Sequence, residues 1–399
     1  MFININLFFA CLDWADLPKH LLELVVDKLE SSTDYLHFGA VCISWLSILQ
    51  NNQSRLDTIF CHQAPLLLIP DEHEHKWRVY DVTKDKFLKS KLLVPYPNCL
   101  CGSSEGWLVG VNKDSTVTLH KPGFVVTNSS VELPCIFPYG IVDYHSDFED
   151  FVDLTDVADY NIEKAILNYD QRAKLNQLTV VAIFSEFSEL AFIRHGKDAT
   201  WSKIDASYNN EQPMVVDILL YNNQFYALKY CGGLVSFNIT DSGVSTVKWL
   251  APPKEDPLYD HKKYLVKSYG GELLLVERYI ITWPGGRVAR ETKSFKVFRF
   301  DFDGKKWIEL TSLGDTALFV GDNSSISVLA YNFPGCQSNC IYFTHDRYEI
   351  ENRENTIIRD MGVYHMEDKS FKRHYTIDPT TLITSRRRLP IWFTPSILV

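Results

Sequence analysis

The run Ile218-Leu219-Leu220-Tyr221-Asn222-Asn223-Gln224-Phe225-Tyr226-Ala227-Leu228 decides the fold class. Two apolar segments of strand length flank an Asn-Asn pair, and Asn tolerates the positive φ that a two-residue hairpin turn demands. The same grammar recurs nearby. Cys231-Gly232-Gly233 turns the chain into Leu234-Val235-Ser236-Phe237. Tyr264-Leu265-Val266 passes through Gly270-Gly271 into Leu273-Leu274-Leu275-Val276, and the segment 295–302 passes through Asp303-Gly304 into Trp307-Ile308. No helical pattern of comparable length follows residue 62, so the chain from there reads as mainly β.

Each hairpin set closes on a bulky apolar residue: Phe87, Leu133, Trp201, Trp249, Trp307 and Phe371. A four-stranded propeller blade takes roughly 40–50 residues, and most of these closures lie at or somewhat above that spacing. The widest interval, 133–201, holds an acidic insertion. Six closures imply a β-propeller of six blades, or seven if one closure is missed. The tryptophans at 201, 249 and 307 recur with the repeat, which assigns them to packing between strands. A single β-sandwich is too small for the span 62–399. Pro390-Ile391-Trp392-Phe393 is placed to pair near Leu66-Leu67-Leu68-Ile69 and so to remove the open edge of the ring.

The 399 residues are 46% apolar and 23% charged, as in ordinary globular chains, which excludes disorder and a coiled coil. A net charge of −10 argues against a general nucleic-acid or anionic-membrane binder. Nine cysteines, an odd number, fit a reducing compartment better than a disulfide framework. Cys99-x-Cys101 and Cys336-xxx-Cys340 lack zinc-site spacing, and His73-Glu74-His75 reads as a solvated loop. No metal or cofactor is expected. Residues 1–12 are apolar apart from Asn4 and Asn6 and hold no Lys, Arg or A-x-A site, so they read as an N-terminal extension rather than a signal peptide. No stretch reaches the ~20 apolar residues of a spanning helix. The expected location is cytoplasmic and/or nuclear.

Residues 13–52 read as helical. Pro18 suits a first helical position. Leu21, Leu22, Val25 and Leu29 form one apolar stripe, and Leu36, Phe38, Val41, Trp45 and Leu49 form another. Ser31-Ser32-Thr33-Asp34 ends the first helix and offers caps for the next. A unit this small cannot hide so much apolar surface internally. Either it docks in a partner's groove, or it packs as a cap on the rest of the chain.

Trp14-xx-Leu17-Pro18-xx-Leu21-Leu22, then Asp34, then Val41-Cys42-xx-Trp45 resembles an F-box over roughly 12–52. The resemblance implies binding to the Skp-type adaptor of a cullin-based SCF ubiquitin ligase. Leu17, Pro18, Leu21, Leu22, Val41, Cys42 and Trp45 match adaptor-facing or module-core positions of that family. The sequence departs at Ile43 and Leu46, where F-boxes often carry a basic residue. Gly106-Trp107-Leu108 with Leu133-Pro134 is similar to the start of plant F-box-associated domains. Leu313-Gly314-Asp315-xx-Leu318-Phe319-Val320-Gly321 and Phe333-Pro334-Gly335-Cys336-xx-Asn339-Cys340-Ile341-Tyr342-Phe343-Thr344 resemble the signature of the plant domain-of-unknown-function family 295. That likeness implies an F-box followed by a β-propeller, and KIB-like members set a precedent by recruiting a kinase for ubiquitination. The implied organisation is an extension at 1–12, an F-box at 13–52, a linker at 53–61 and a propeller at 62–399.

No G-x-S-x-G, HExxH, Walker loop or G-x-G-x-x-G occurs. The expected role is therefore a non-catalytic substrate receptor that holds an unknown target protein near the ligase machinery. Candidate target contacts are Trp283 and Arg287, in Trp283-Pro284-Gly285-Gly286-Arg287, because interface hot spots favour Trp and Arg. Asp150 and Asp153 belong to a stretch with Asp143, Asp147, Glu149, Asp156, Asp159 and Glu163 that contains no Lys or Arg. That stretch reads as a holder of a basic partner or as a solvated insertion. Arg386-Arg387-Arg388 reads as a solvated loop. Two alternatives stay open: a scaffold with a degenerate F-box, and a propeller enzyme, which only fold analogy supports.

Overall fold

The computed structural model describes residues 14, 17–29, 32–51, 64–71, 75–88, 99–104, 106–112, 114, 116–122, 129–136, 162–169, 178–185, 188–207, 214–252, 261–283, 289–346, 356–357, 360–372, 383–384 and 388–394. Six sheets stand around a ring. Blade one joins Leu66–Asp71, Lys76–Asp81 and Lys86–Phe87 to the C-terminal strand Ile391–Phe393. Blade two is Cys99–Ser104, Trp107–Val111, Val117–Lys121 and Ser129–Leu133. Blade three is Ile162–Asn168, Thr179–Phe184, Glu189–Arg194 and Ser202–Ile204. Blade four is Val215–Tyr221, Gln224–Lys229, Leu234–Phe237 and Lys248–Ala251. Blade five is His261–Lys267, Leu273–Trp283, Ala289–Asp301 and Lys306–Leu310. All six expected closing residues lie in an outermost strand or, for Trp201, directly before one.

Blade six departs from the simple repeat. Its five strands run, from the inside outward, Ser324–Leu329, Thr316–Gly321, Cys340–Phe343, Gly362–His365 and Phe371–Lys372. Thr316–Gly321 and Cys340–Phe343 pair in parallel. The second strand in the chain thus occupies the inner position that the first strand takes in blades two to five.

The strands are apolar on both faces because each blade packs on two neighbours. Leu66 and Leu68 point to blade two, while Leu67 and Ile69 point to blade six. Six buried clusters fill the six junctions between adjacent blades. Val109, Val180 and Ala182 join blades two and three; Val276, Val320 and Ile341 join blades five and six. The ring closes as the sequence predicts: Leu66, Leu67 and Leu68 pair antiparallel with Phe393, Trp392 and Ile391. Pairing the last strand with the first removes the sheet edge that an open ring would expose.

Inner strands of three successive blades carry a register shift, at Leu100/Gly102, Ile162/Lys164 and Val215/Asp217. Such bulges re-aim side chains. Lys164 here forms a buried ion pair with Asp217 of the next blade, and Asp217 also accepts from the Leu265 N–H of blade five at 2.6 Å. Burial raises the Asp217 carboxyl above its ordinary range, against the pull of Lys164.

The turns bear out the hairpin chemistry at Asn222-Asn223 and correct it at two others. Asn222 and Asn223 take φ of 48° and 59°, as a type I′ turn requires. Gly270-Gly271 sits in a five-residue loop, since pairing resumes at Lys267↔Leu273, and only Gly271 of that pair takes a positive φ (80°). In the hairpin at 301–306, however, the left-handed residue is Lys305 (φ 49°), not Gly304. Strand pairing resumes only at Asp301↔Lys306, so the turn has four residues rather than the expected Asp-Gly pair.

The N-terminal part holds three helices: α1 (Lys19–Val26), α2 (Ser32–Gly39) and α3 (Ile43–Asn51). Pro18 sits at the cap of α1 with ψ 138°, one position before the first helical residue, Lys19, rather than at the first helical position expected for it. Leu22, Val26, Phe38, Ile48 and Leu49 form their core, with Leu17, Leu29 and Trp45 packed against it. No helix among the described residues is long and apolar enough to cross a membrane.

Candidate functional site

Helix α1 is apolar on two sides. Leu22, Val26 and Leu29 face the module's own core at i, i+4 and i+7. Leu21, Leu24 and Val25, at i, i+3 and i+4, lie on the opposite side and are 40%, 58% and 42% exposed. The single stripe expected from sequence, Leu21-Leu22-Val25-Leu29, therefore merges two faces. A short helix with two apolar sides satisfies one internally and leaves the other for something else. The second expected stripe divides as well: Phe38 and Leu49 are buried, whereas Val41 is 52% exposed in the turn before α3.

The residues singled out by the F-box pattern sort by this geometry. Pro18, Leu21 and Val41 are exposed, Leu17 and Cys42 are half-buried, and Leu22 is buried. Trp45 belongs to the packing: its ring lies 4.4 Å from that of Phe38, and its Nε1–H donates to the Trp14 carbonyl at 3.1 Å. Leu22 and Trp45 thus hold the module together, while Pro18, Leu21 and Val41 are its presented positions. Leu24, Ile43 and Trp14 were not named as contact positions, yet all three are strongly exposed. Leu24 was readable, since it completes the i, i+3, i+4 set with Leu21 and Val25. On the same helix Lys19 and Glu23 form an ion pair at 3.6 Å.

The propeller carries a second feature. In blade five, Leu273–Trp283 and Ala289–Asp301 outrun their neighbours: the inner strand pairs only as far as Tyr279 and the outer strand only back to Val297. Ile280–Trp283 and Ala289–Thr292 therefore project as a two-stranded ribbon. Its root is held by Arg278, which is 1% exposed. Arg278 donates from Nε to Thr292 Oγ1 (2.8 Å), from Nη1 to Asp346 (2.7 Å) and the Thr344 carbonyl (2.8 Å), and from Nη2 to Asp360 (2.9 Å). Asp360 also accepts from the Thr292 N–H and hydroxyl, and Asp346 from the Tyr264 hydroxyl and the Asp322 N–H. Burial opposes the Arg278 charge, but Tyr264, Asp346 and Asp360 more than offset it and raise its pKa. Burial, and secondarily Asp346, push the Tyr264 hydroxyl well up. Each guanidinium nitrogen of Arg278 has an acceptor, so the cluster anchors the root of the ribbon. The sequence signal was a charged pair, Glu277-Arg278, inside an otherwise apolar strand.

Trp283 lies in the ribbon strand opposite Ala289, not in the loop expected from sequence, and its side chain lies outside the described residues. Arg287, Asp150 and Asp153 also lie outside the described residues, as do His73 and Glu74. Glu163, the last of the acidic stretch, is exposed and accepts from the Ser188 hydroxyl at 2.9 Å. Among the described residues no group of three His, Cys, Asp or Glu side chains could hold a metal ion.

The KIB1-4 beta-propeller family model matches residues 79–365. Among curated proteins, the chain is 29% identical over 388 residues to F-box protein SKIP23 of Arabidopsis thaliana, covering 88% of this chain and 89% of that one. It is 24% identical over 368 residues to F-box protein At4g35733 of the same plant, covering 90% and 95%. Among solved structures, the β-propeller domain of Cps50 (Swd1) from Myceliophteria thermophila aligns with a TM-score of 0.33 at 9% identity, over 78% of this chain and 85% of that one.

Proposed function

The chain belongs to the KIB1-4 β-propeller family, and on that premise we propose that it is the substrate receptor of an SCF-type ubiquitin ligase. Residues 13–52 would bind a Skp-type adaptor and, through it, the cullin. Residues 62–399 would present the target, with 53–61 joining the two. The stretch 313–344, which resembles the family-295 signature, is part of the same reading. One observation carries it: the Leu21-Leu24-Val25 side of α1 is exposed although the module already has a complete core behind Leu22 and Val26. An exposed apolar helix side is what a groove-forming partner recognises. The F-box names of the Arabidopsis thaliana relatives point to the same partner.

In this reading the chain is non-catalytic and works by proximity. Holding a target lysine near a charged conjugating enzyme raises its effective concentration. The ribbon that ends at Trp283, with Arg287 beyond it, and the acidic stretch with Asp150 and Asp153 are the proposed target contacts. A kinase is the precedent set by KIB-like members, and the cytoplasm or nucleus is the setting.

The test is co-expression with a plant Skp-type adaptor followed by size-exclusion chromatography. Wild type should co-elute stoichiometrically, and Leu21→Asp/Val25→Asp should not, while melting at the wild-type temperature. Substitutions at Leu22 or Trp45 do not serve, because they attack the module's core. Separate elution of wild type and adaptor would overturn the proposal.

A further inference from the structure

We infer that the projecting ribbon of blade five captures its target by strand addition, with an extended segment of the target polypeptide pairing along the edge Ile280–Trp283. This rests on the reading of the ribbon as a target contact and specifies what that contact takes. The direction of the edge follows from the ladder. In an antiparallel pair, two facing residues either exchange both backbone bonds or both turn away. Thr292 faces Ile280, and its N–H donates off the ribbon to Asp360 Oδ1 at 3.1 Å. The Ile280–Thr292 pair therefore turns away, and by alternation so does Thr282–Arg290. The N–H and C=O groups of Ile280 and Thr282 point to the side that the inner strand leaves empty beyond His261. No described residue pairs with them.

The two edges of the ribbon are treated differently. Asp360 caps the outer one, taking both the N–H and the hydroxyl of Thr292, and that strand carries Arg290 and Glu291. Folded proteins blunt an exposed edge with charge, Pro or a covering segment. Ile280-Ile281-Thr282-Trp283 holds no charge and no Pro, only the β-branched and aromatic types that favour pairing. Arg278 fixes the root of this strand, so the edge is formed before anything binds. Backbone donors and acceptors at alternate residues of a strand edge are the complement of another extended backbone. The edge also favours a single segment over a second copy of this chain. Pairing along four residues falls far short of the ~1,200 Å² that a stable protein pair buries. It also starts at Ile280, only 6% exposed, where a lone strand reaches and a second ring does not. Ile281, 39% exposed, adds an apolar contact, so target residues on its face should be apolar.

The experiment selects a phage-displayed library of random peptides on the full-length chain. An enriched peptide is then synthesised unmodified, N-methylated at its odd residues and N-methylated at its even residues. Only one alternate set of its N–H groups faces the ribbon, so one methylated form should lose affinity about tenfold or more and the other should stay within about twofold. Thr282→Pro removes a donor of the open edge but no bond of the ribbon's own ladder, so it should melt at the wild-type temperature. It should weaken the unmodified peptide about tenfold or more. No enriched peptide, equal affinities of the two methylated forms, or binding by folded Thr282→Pro within about twofold of wild type would overturn the inference. So would self-association of wild type that Thr282→Pro abolishes, which would make a second copy the occupant. If Ile281→Asp releases the peptide and Thr282→Pro does not, the ribbon holds targets by side chains and only strand addition fails. If neither variant releases it, the reading of the ribbon as a target contact fails as well.

Discussion

Asn323 of blade six donates its side-chain N–H to the Leu100 carbonyl of blade two at 3.0 Å, bypassing blade one. The bond has a structural reason. The inner strand of blade one is only Ile391–Phe393, three residues, so it does not fill the ring as the longer inner strands do. Asn323, which is 8% exposed, spans the shortfall, and Trp392 adds a second tie through Nε1–H to the Val320 carbonyl at 3.1 Å. Closure thus draws on one short strand, a side-chain bond from it to blade six, and a second bond that joins blades six and two directly.

Asn323→Leu leaves a buried carbonyl without its donor and should cost about 1–3 kcal/mol. Trp392→Ala opens a large cavity at the same seam and should cost about 3–5 kcal/mol. Urea unfolding checks both: the midpoint should fall with an unchanged slope. A midpoint at the wild-type value for Trp392→Ala would show that the ring does not depend on its closing strand.

The glycines of the seams should separate by surroundings. A Cβ on Gly335 (φ +94°) would lie 2.0 Å from the Thr83 carbonyl oxygen of blade one. A Cβ on Gly243 (φ +119°) would meet nothing within 4 Å. Both alanine variants incur the backbone penalty of about 1–2 kcal/mol, but only Gly335→Ala must also move a neighbouring blade. The expected outcome is insoluble or unfolded Gly335→Ala, at a cost above about 4 kcal/mol, beside folded and modestly destabilised Gly243→Ala. Equal melting temperatures would contradict the seam role.

Much of the architecture was readable because it follows from local pattern. Six closing residues gave six blades, and Ile391-Trp392-Phe393 gave the closing strand, since alternation and turn residues need no knowledge of distant contacts. The inner placement of Ser324–Leu329 was not readable, because strand order within a sheet depends on long-range pairing. The F-box pattern located the helical module but could not separate its presented side from its core. Leu21 and Leu22 are adjacent and equally apolar, and only the position of Ile48 and Leu49 on α3 decides which turns inward. The Phe333-Pro334-Gly335-Cys336 run was recognised as a signature, but its reason, the close approach of Gly335 to Thr83, lies in another blade.

His120 should make stability fall in mild acid. It is 7% exposed in Val117–Lys121, and burial lowers its pKa below the ordinary 6.5. The unfolded chain then binds a proton that the folded chain refuses. Its contribution is present above pH 6.5 and is lost as the pH falls from there towards the depressed folded value. His120→Leu removes that proton and should flatten the slope of stability against pH between about 7 and 5. Urea midpoints across that range test it, and identical slopes for wild type and variant would exclude His120 as a source of the dependence.

Arg278 offers the sharpest separation of local from global effects. It ties Thr292, Asp346 and Asp360 together at the root of the blade-five ribbon. Arg278→Met would leave two buried carboxylates without their cation, and breaking a buried pair from one side costs about 3–5 kcal/mol. Arg278→Lys keeps the charge but cannot reproduce a planar fork that donates in three directions, so it should recover only part of the loss. Arg278→Met combined with Asp346→Leu and Asp360→Leu removes the stranded charges and should be more stable than Arg278→Met alone. Hydrogen exchange locates the damage. Amides of Ile280–Trp283 and Ala289–Thr292 should exchange faster in Arg278→Lys, while those of the remote strand Thr179–Phe184 keep their wild-type rates. Uniform acceleration throughout the ring would mean that the cluster stabilises the whole propeller, and unchanged ribbon amides would mean that the ribbon is held by other contacts.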